Sequence, residues 1–421
     1  MEKTAFANAF VVDGVGPSPI ANATVLVEDG RIAWIRTGDA PGIPPDAAVV
    51  DLHGGYLLPG LWDCHCHPGL LIPDNDRYQA FETEAEATLR SLRNLLGALQ
   101  AGITAVRAVA SPGFVDVALR EAIAGETPTG QWHDVLTATP LHGPRVFASG
   151  PGLRVTGGHG SERRATELVP HTLEVDGPDE VRKATRYVIK MGVDWVKLMI
   201  TGGVAGIREG MGESQMTYEE IKAACDTAHN KGLKVCAHCG GAPAAKMAID
   251  AGLDCLEHGY LLDQEAVDKM AERGVFYVPT MTITQDLERK RLNRVPEYRM
   301  RKVMEAGQAH RKSLEMALRA GVKIASGPDA NPMRETSVKE VYWLAQCGMT
   351  NLQALQAATI NAAELCGVAD QLGTVEAGKI ADLIVVGANP LEDLSNLRDL
   401  RMVVKEGQIV VDRRGDGARR E

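Results

Sequence analysis

The sequence contains no run of 18 apolar residues, and its start shows no basic segment followed by an apolar stretch and a cleavage site. No block of like charge is long enough to act as a basic patch or an acidic tail, and the net charge is −10. The eight cysteines are scattered rather than arranged as a disulfide framework. We therefore expect a cytoplasmic protein with reduced thiols, and neither a membrane nor a nucleic acid as its partner.

Hydrophobic residues make up 45% of the chain and charged residues 24%, which are ordinary values for a globular protein. With 421 residues, the chain is about three times as long as a typical domain of roughly 150 residues. This length fits either several domains or one large α/β barrel with additions.

Both ends of the chain are rich in predicted strands. Near the N-terminus, apolar stretches alternate with turn signals, and the pair Asp29-Gly30 between two such stretches is typical of a hairpin. The tail has the same character, with apolar stretches at 382–386 and 403–411. We predict one small β-rich module built from both termini.

Between the ends, short apolar strands alternate with longer segments of helical periodicity, which is the pattern of repeated β–α units. The eight predicted strands cover 58–65, 103–109, 145–149, 195–200, 234–238, 255–258, 275–279 and 323–326. The clearest predicted helices cover 82–101, 180–191, 219–231 and 301–320, and a glycine follows each of them. This alternation predicts an α/β fold of the (β/α)8, or TIM barrel, type. The segment 126–143 shows no clear period and is interpreted as a loop inserted before the third strand.

Two histidines lie at the end of the first predicted strand, which is where barrel enzymes keep their catalytic groups. His65 and His67 are two residues apart, so their side chains project to the same side of the strand and can bind one metal ion. The same alternation sends Cys64 and Cys66 to the other side, which opposes a zinc site made from all four residues.

Further candidate ligands follow other strands. The fifth and sixth predicted strands end at His238 and His258, and Asp329 follows the eighth. A lone histidine at such a place is more often a satisfied hydrogen-bonding residue, and an aspartate after an apolar run is often a helix N-cap. Four histidines at the strand ends of one barrel instead favour a shared metal site.

Lys197 lies inside the fourth predicted strand, where a charged ammonium group is costly to bury. Two interpretations are open. The amine could extend to the barrel mouth or pair with Asp329. Alternatively, a lowered pKa would let CO2 add to the amine, giving a carbamate able to bridge two metal ions.

This order of ligands resembles that of the amidohydrolase superfamily. The likeness extends to the branch with imidazolonepropionase-like and Xaa-Pro dipeptidase-like hydrolases. Six motifs carry it, at 59–67, 156–160, 195–203, 235–238, 256–259 and 372–383. Each motif is weak alone, but six in this order are specific, and they span nearly the whole chain.

The resemblance implies a (β/α)8 barrel over 58–373 and a small β-sandwich domain built from 1–57 and 374–421. It also implies two divalent metal ions, with zinc favoured over manganese, cobalt and iron. The implied ligands are His65, His67 and Asp329 for the more buried ion, His238 and His258 for the second, and a carboxylated Lys197 bridging both. Asp329 would also act as the general acid and base.

Three further residues are candidates for substrate contact. His159 follows the third strand in a glycine-rich loop, and we predict that it hydrogen-bonds the substrate carbonyl or the tetrahedral oxyanion. Tyr218 and Tyr260 are candidates too, although packing explains each of them equally well. The family's usual Arg-Asp pair after strand 2 is Arg107-Ala108 here, so the role of that aspartate is absent or supplied elsewhere.

We therefore expect a metal-dependent hydrolase that cleaves an amide-type bond in a small molecule. The substrate would be dipeptide-like, an N-acyl amino acid or a related carboxamide. Hydrolysis of carbamates, ureas or cyclic amides is the alternative, and a barrel scaffold without catalysis is a third interpretation. We also expect a homo-oligomer.

Overall fold

The computed structural model describes residues 3–38, 42–69, 81–125, 141–161 and 169–414. The strands are β1 Lys3–Val11, β2 Ile20–Glu28, β3 Arg31–Thr37, β4 Ala48–Asp51, β5 Tyr56–Pro59, β6 Leu61–Cys66, β7 Ile103–Ala108, β8 Arg145–Phe147, β9 Gly152–Arg154, β10 Thr172–Glu174, β11 Trp195–Met199, β12 Lys234–Gly241, β13 Cys255–Leu261, β14 Phe276–Val278, β15 Leu383–Val386, β16 Leu400–Lys405 and β17 Gln408–Asp412. The α-helices are α1 Glu84–Gln100, α2 Val115–Ala124, α3 Gly177–Lys190, α4 Tyr218–His229, α5 Ala242–Ala251, α6 Gln264–Arg273, α7 Met281–Gln285, α8 Leu287–Leu292, α9 Glu297–Arg319, α10 Met333–Gln346, α11 Asn351–Ala357 and α12 Ile360–Leu365. In these described ranges, no helix is long and apolar enough to cross a lipid bilayer.

An eight-stranded sheet combines strands from both ends of the chain. Its order is β17-β16-β15-β5-β1-β2-β3, with β4 beside β1. The two ends meet where β15 pairs antiparallel with β5, with Leu383 opposite Pro59. Asp29 and Gly30 form the turn between β2 and β3, and both have positive φ angles, 49° and 79°. The hairpin predicted from this pair is present.

The middle of the chain forms parallel strands followed by helices. β6, β7 and β8 make a three-stranded sheet, and the order β10-β9-β11-β12-β13-β14 makes a six-stranded one. Hydrogen bonds link the end of β8 to the start of β11, and β6 to the segment 323–326. The amides of Asp194 and Trp195 donate to the carbonyl of Ala148 at 2.8 and 3.1 Å, and the amide of Cys64 donates to the carbonyl of Ser326 at 2.8 Å.

The predicted fold class is confirmed as α/β, but two of the eight predicted strands differ from the structure. The first, at 58–65, is divided at Gly60 because its earlier part pairs with β15 and its later part with β7. The eighth, at 323–326, is not a regular strand, and Ile324 makes only an isolated parallel bridge to Tyr277 of β14. The predicted inserted loop at 126–143 lies outside the described residues as far as position 140.

The predicted helices are present with shifted ends, for physical reasons visible at their caps. The helix predicted at 82–101 begins at Glu84. The Thr83 side chain accepts a hydrogen bond from the Glu86 amide, and the Glu86 side chain accepts one from the Thr83 amide, which fixes the helix start. Thr217 and Glu220 form the same capping box before α4.

Three parallel strands, β6, β7 and β11, are buried at every residue. Parallel strands are usually covered on both faces, and their side chains are then removed from water whatever their chemistry. Polar residues on these strands, such as His65 and Lys197, are therefore buried with them.

Candidate active site

Four histidines and one aspartate meet at the carboxyl ends of the parallel strands. The centroid of the His65 ring lies 5.3 Å from that of His67 and 4.8 Å from that of His258. The centroids of His238 and His258 are 4.5 Å apart. Asp329 Oδ1 lies 3.1 Å from His67 Nε2 and 3.7 Å from His65 Nε2. The structure thus brings together the five predicted ligands other than Lys197, which come from four different strand ends.

The backbone at these strand ends is strained. His258, Thr280 and Asp329 have φ angles of 72°, 56° and 50°, in the left-handed region that costs a non-glycine residue about 1–3 kcal/mol. The amide of Asp329 donates to the carbonyl of His65 at 3.1 Å, which holds the carboxylate beside the histidine pair. Such strain is concentrated at functional sites in proteins.

Glu257 fixes the orientation of the His65 ring. Glu257 Oε2 lies 2.6 Å from His65 Nδ1, and its other oxygen accepts a 2.6 Å hydrogen bond from Arg107. All three side chains are buried. Burial alone would raise the pKa of Glu257, but the positive charge of Arg107 and the interaction with His65 lower that pKa to about 2. The ionised Glu257 therefore holds Nδ1 and leaves Nε2 of His65 facing Asp329.

The sequence interpretation missed Glu257, the partner of Arg107. Glu257 directly precedes His258, and strand alternation would send two consecutive side chains to opposite faces. The left-handed backbone of His258 interrupts this alternation, so that both Glu257 and His258 lie against His65. The only available signal was a glutamate inside an apolar strand.

Two other candidate ligands also have one ring nitrogen engaged. His238 Nε2 lies 3.2 Å from the carbonyl oxygen of Gly202, and His258 Nδ1 lies 2.9 Å from Thr280 Oγ1. Metal-binding histidines usually make a hydrogen bond through the nitrogen that does not bind the metal. His65, His238 and His258 all fit this pattern.

The Lys197 side chain is buried, and its amine forms no hydrogen bond with any described residue. The direct pairing with Asp329, which was one of the two interpretations open from the sequence, is therefore not present. Burial lowers the pKa of His65, His238 and His258, and the charge of Lys197 contributes to this effect. A buried charged amine without a partner is energetically costly.

His159 lies beside the ligand cluster in the structure. Its ring stacks on that of His238, with centroids 4.1 Å apart, and its Nδ1 lies 2.6 Å from Glu209 Oε1. The same carboxylate oxygen accepts the Gly203 amide at 3.0 Å. A side chain at Gly203 would collide with both imidazole rings, so this position requires glycine. Glu209 was not identified from the sequence, because it lies in a loop without periodicity.

The two tyrosine candidates are in different surroundings. Tyr260 is buried, and its ring stacks on His258 with centroids 5.2 Å apart. Tyr218 is the first residue of α4 and is 38% exposed. Tyr260 therefore packs behind a candidate ligand, and Tyr218 lies on a helix surface.

The protonation states of the cluster are those that metal binding requires. Burial lowers the pKa of His65 to about 4 and places the pKa values of His238 and His258 well below the usual range. Burial alone would raise the pKa of Asp329, but the electrostatic interaction with His65 and a hydrogen bond with His67 outweigh this effect and lower it. The imidazoles of His65, His238 and His258 are therefore neutral, and the Asp329 carboxylate is ionised.

These residues fit a divalent metal ion. Ligand atoms of His65, His67 and Asp329 all lie within 4.8 Å of one another. Imidazole nitrogens with a carboxylate oxygen suit zinc and related ions. His67 Nδ1 and Lys197 Nζ are buried polar atoms that have no hydrogen-bond partner within the described part of the chain.

Strand-end histidines with a carboxylate can hold a divalent metal ion, and such an ion can activate water for hydrolysis. The chain belongs to the amidohydrolase family, whose family model matches residues 56–410. It is therefore a hydrolase of that family.

Individual relatives support the same assignment. Ochratoxinase from Aspergillus niger is 31% identical over 412 residues, which cover 91% of this chain and 81% of the relative. The crystal structure of an Xaa-Pro dipeptidase with bound methionine in its active site is 31% identical, with a TM-score of 0.85 over 97% of this chain and 99% of that one. A prolidase complexed with N-methylphosphonate-L-proline is also 31% identical, with a TM-score of 0.86 over 97% and 100%. The branch expected from the six motifs is confirmed.

Proposed function

We propose that this chain hydrolyses the amide bond of a dipeptide-like or N-acyl amino acid substrate, with two divalent metal ions as cofactors. The observation that carries the proposal is the buried, unpartnered amine of Lys197 beside the convergent ligands His65, His67, His238, His258 and Asp329. A carboxylated Lys197 would turn a costly buried cation into an anionic bridging ligand.

The metal ligands follow from this arrangement. His65, His67 and Asp329 would hold one ion, His238 and His258 the other, and carboxylated Lys197 both, with zinc the favoured metal. When bound, such a metal pair lowers the pKa of a water molecule and polarises a carbonyl group. Glu257, through its 2.6 Å contact with His65, would keep that ligand correctly oriented.

The chain's own residues would move the proton and stabilise charge. Asp329 would take a proton from the attacking water and deliver it to the leaving amine. His159 would donate a hydrogen bond to the oxygen of the former carbonyl group, and Glu209 would orient its ring. Tyr218 and Tyr260 remain candidates for substrate contact.

We also propose the domain arrangement expected from the resemblance. The two parallel sheets, with 323–326, would form a (β/α)8 barrel over 58–373, and 1–57 with 374–421 would form the small β-sandwich. The hydrogen bonds from Asp194 to Ala148 and from Cys64 to Ser326 support barrel closure. The pairing of β5 with β15 supports the composite domain. Cytoplasmic location and homo-oligomerisation stay predictions.

The ligands of two relatives favour an amino acid as the leaving group. One relative was crystallised with methionine and another with an N-phosphonylated proline, in which phosphorus replaces the acyl carbon. Both ligands carry a free amino acid carboxylate. We therefore favour small N-acyl amino acids and dipeptides over carbamates, ureas and cyclic amides.

A substrate panel tests the proposal. Purified protein of known metal content would be assayed against N-acetyl amino acids, Xaa-Pro and other dipeptides, and aryl carbamates. We expect turnover of the first two groups by protein with about two ions per chain, and none after chelation. Turnover confined to carbamates would favour the alternative, and full activity without bound metal would refute the metal-dependent mechanism.

A further inference from the structure

Helix α8 inverts the usual distribution of polar and apolar residues. Lys290 is buried, with 6% exposure, whereas Leu292 on the same helix is 75% exposed. A surface helix normally buries leucine and exposes lysine, because burying an ammonium group is unfavourable. Lys290 is therefore buried despite the free-energy cost of removing its charge from water.

The neighbouring Arg289 is also largely buried. Its Nε atom has no hydrogen-bond partner in the described structure and lies 3.7 Å from the nearest Asp286 oxygen. That carboxylate instead accepts the Arg289 backbone amide at 3.1 Å as the N-cap of α8, and it lies 3.5 Å from the Lys339 amine. Asp286 is thus shared between several donors, and it leaves Arg289 Nε without a hydrogen bond.

The Lys290 amine makes no hydrogen bond or ion pair with any described residue. Burial lowers the pKa of Lys290 to about 8, so most molecules carry a charged Lys290 amine at pH 7. Asp286 and Asp329 favour the charged form, and Arg289 disfavours it. Two adjacent, largely buried cations therefore lie near Asp286 and Asp329, and neither carboxylate makes a hydrogen bond with the Lys290 amine or with Arg289 Nε.

Both cations interact electrostatically with the catalytic cluster. The segment that carries them follows β14, and Thr280 at its start shares the 2.9 Å hydrogen bond with His258. Glu340 holds the beginning of α7 by accepting the amides of Met281 and Thr282 at 2.6 and 2.7 Å. Arg289 and Lys290 each interact electrostatically with Asp329.

We propose that Arg289 and Lys290 form an anion subsite that binds a carboxylate on the leaving amino acid of the substrate. This carboxylate is either the α-carboxylate or the side-chain carboxylate of an acidic residue. The subsite rests on the proposed amide hydrolysis, and it adds the requirement for a negative charge on the amine side of the cleaved bond. Guanidinium and ammonium groups together supply the donors that a carboxylate accepts.

Two matched substrate pairs distinguish the possible carboxylates. N-acetyl-leucine and N-acetyl-leucinamide differ at the α-carboxylate, and N-acetyl-glutamate and N-acetyl-glutamine differ at the side chain. With the metal-containing parent enzyme, we expect the acid of at least one pair to be strongly preferred over its amide.

The variants Lys290→Met and Arg289→Gln should raise KM for that acid about ten- to a hundredfold with little change in kcat, since each removes a charge-assisted hydrogen bond. KM for the matching amide should stay nearly constant. Lys290→Arg should retain most of the affinity. Arg291→Met is the control, because Arg291 is an exposed cation on the same helix.

Equal changes for acid and amide in both variants, or no change in either, would overturn the subsite. Calorimetric binding of the four compounds to parent and variants separates this result from a failure of the proposed function. If no compound is hydrolysed, the amide hydrolysis proposal fails, whereas weaker binding of the acid to Lys290→Met would still support the subsite. Binding of neither acid by the parent refutes it.

Discussion

The amine of Lys197 ends in a buried site where it meets no hydrogen-bond acceptor among the described residues. We expect Lys197→Ala to lose most of its activity, because the bridging ligand would be missing. Short carboxylic acids added to the medium should partly restore metal binding, since they can occupy the bridging position. Turnover and metal content, measured with and without acetate, check this prediction, and near-normal turnover of Lys197→Ala would show that the lysine only packs.

Asp329 is proposed as both ligand and base, and these roles can be separated. Asp329→Asn keeps the size and one oxygen donor but removes the basic charge, so turnover should fall roughly a hundredfold or more. The metal held by His238 and His258 should remain, whereas His65→Ala should empty the more buried site. Metal analysis and kinetics of both variants side by side provide the measurement. Parental turnover by a fully metallated Asp329→Asn would assign the proton transfer to another group, such as His159.

The candidate ligands could be recognised from the sequence because each stands at the end of an apolar strand. Their supporting residues could not. Glu257 pairs with Arg107 150 positions away and with His65 192 positions away. No local pattern contains such a pairing, which depends on how the strands lie beside one another. Lys290 was missed because a lysine in a helical segment is normally expected on the exposed face.

At the scale of elements, α9 anchors the loop that carries Glu209. The Lys302 amine donates to the carbonyl oxygens of Gly203 and Glu209 at 3.1 and 2.6 Å, and also to that of Gly206. One side chain thus donates to three carbonyl groups of the same loop. Within that loop, the Gly203 amide also donates a hydrogen bond to the Glu209 carboxylate. Lys302 therefore positions Glu209, and through it the His159 ring.

Lys302→Met should release this loop and lower kcat by about tenfold or more, because small misplacements of a group that stabilises the transition state reduce the rate strongly. Metal content should be unchanged, since no proposed ligand lies in the loop. Lys302→Arg should recover part of the rate, and Arg301→Met, an exposed position on α9, should behave like the parent. A Lys302→Met enzyme with parental kcat would show that the loop holds its position without this contact.

Element boundaries show where sequence reasoning reaches its limit. Capping residues such as Thr83 define helix starts locally, so the predicted helices needed only small shifts. The strand predicted at 323–326 has the right composition, but it is connected through two hydrogen bonds with Tyr277 and one with Cys64 rather than through a regular ladder. Regular pairing is a property of two segments, and one segment alone does not reveal it.

At the scale of the whole molecule, the metal ions should contribute to stability. A ligand that binds only the folded state raises its free energy of unfolding, and the proposed ligands come from β6, β11, β12, β13 and the segment after 326. Chelation should therefore lower the melting temperature by about 5 °C or more. Added zinc should restore both the melting temperature and the activity. Complete metal removal with no change in melting temperature would contradict this prediction.

The pairing of β5 with β15 has a consequence for synthesis. About 320 residues separate the two strands, and at about 5–20 residues per second the ribosome needs roughly a quarter of a minute to a minute to translate them. During this time one edge of β5 lacks its partner, and an unpaired edge can recruit strands of other chains. The sheet that leads into the His65 strand is therefore completed only when β15 emerges from the ribosome, and until then this edge of β5 is open to other strands.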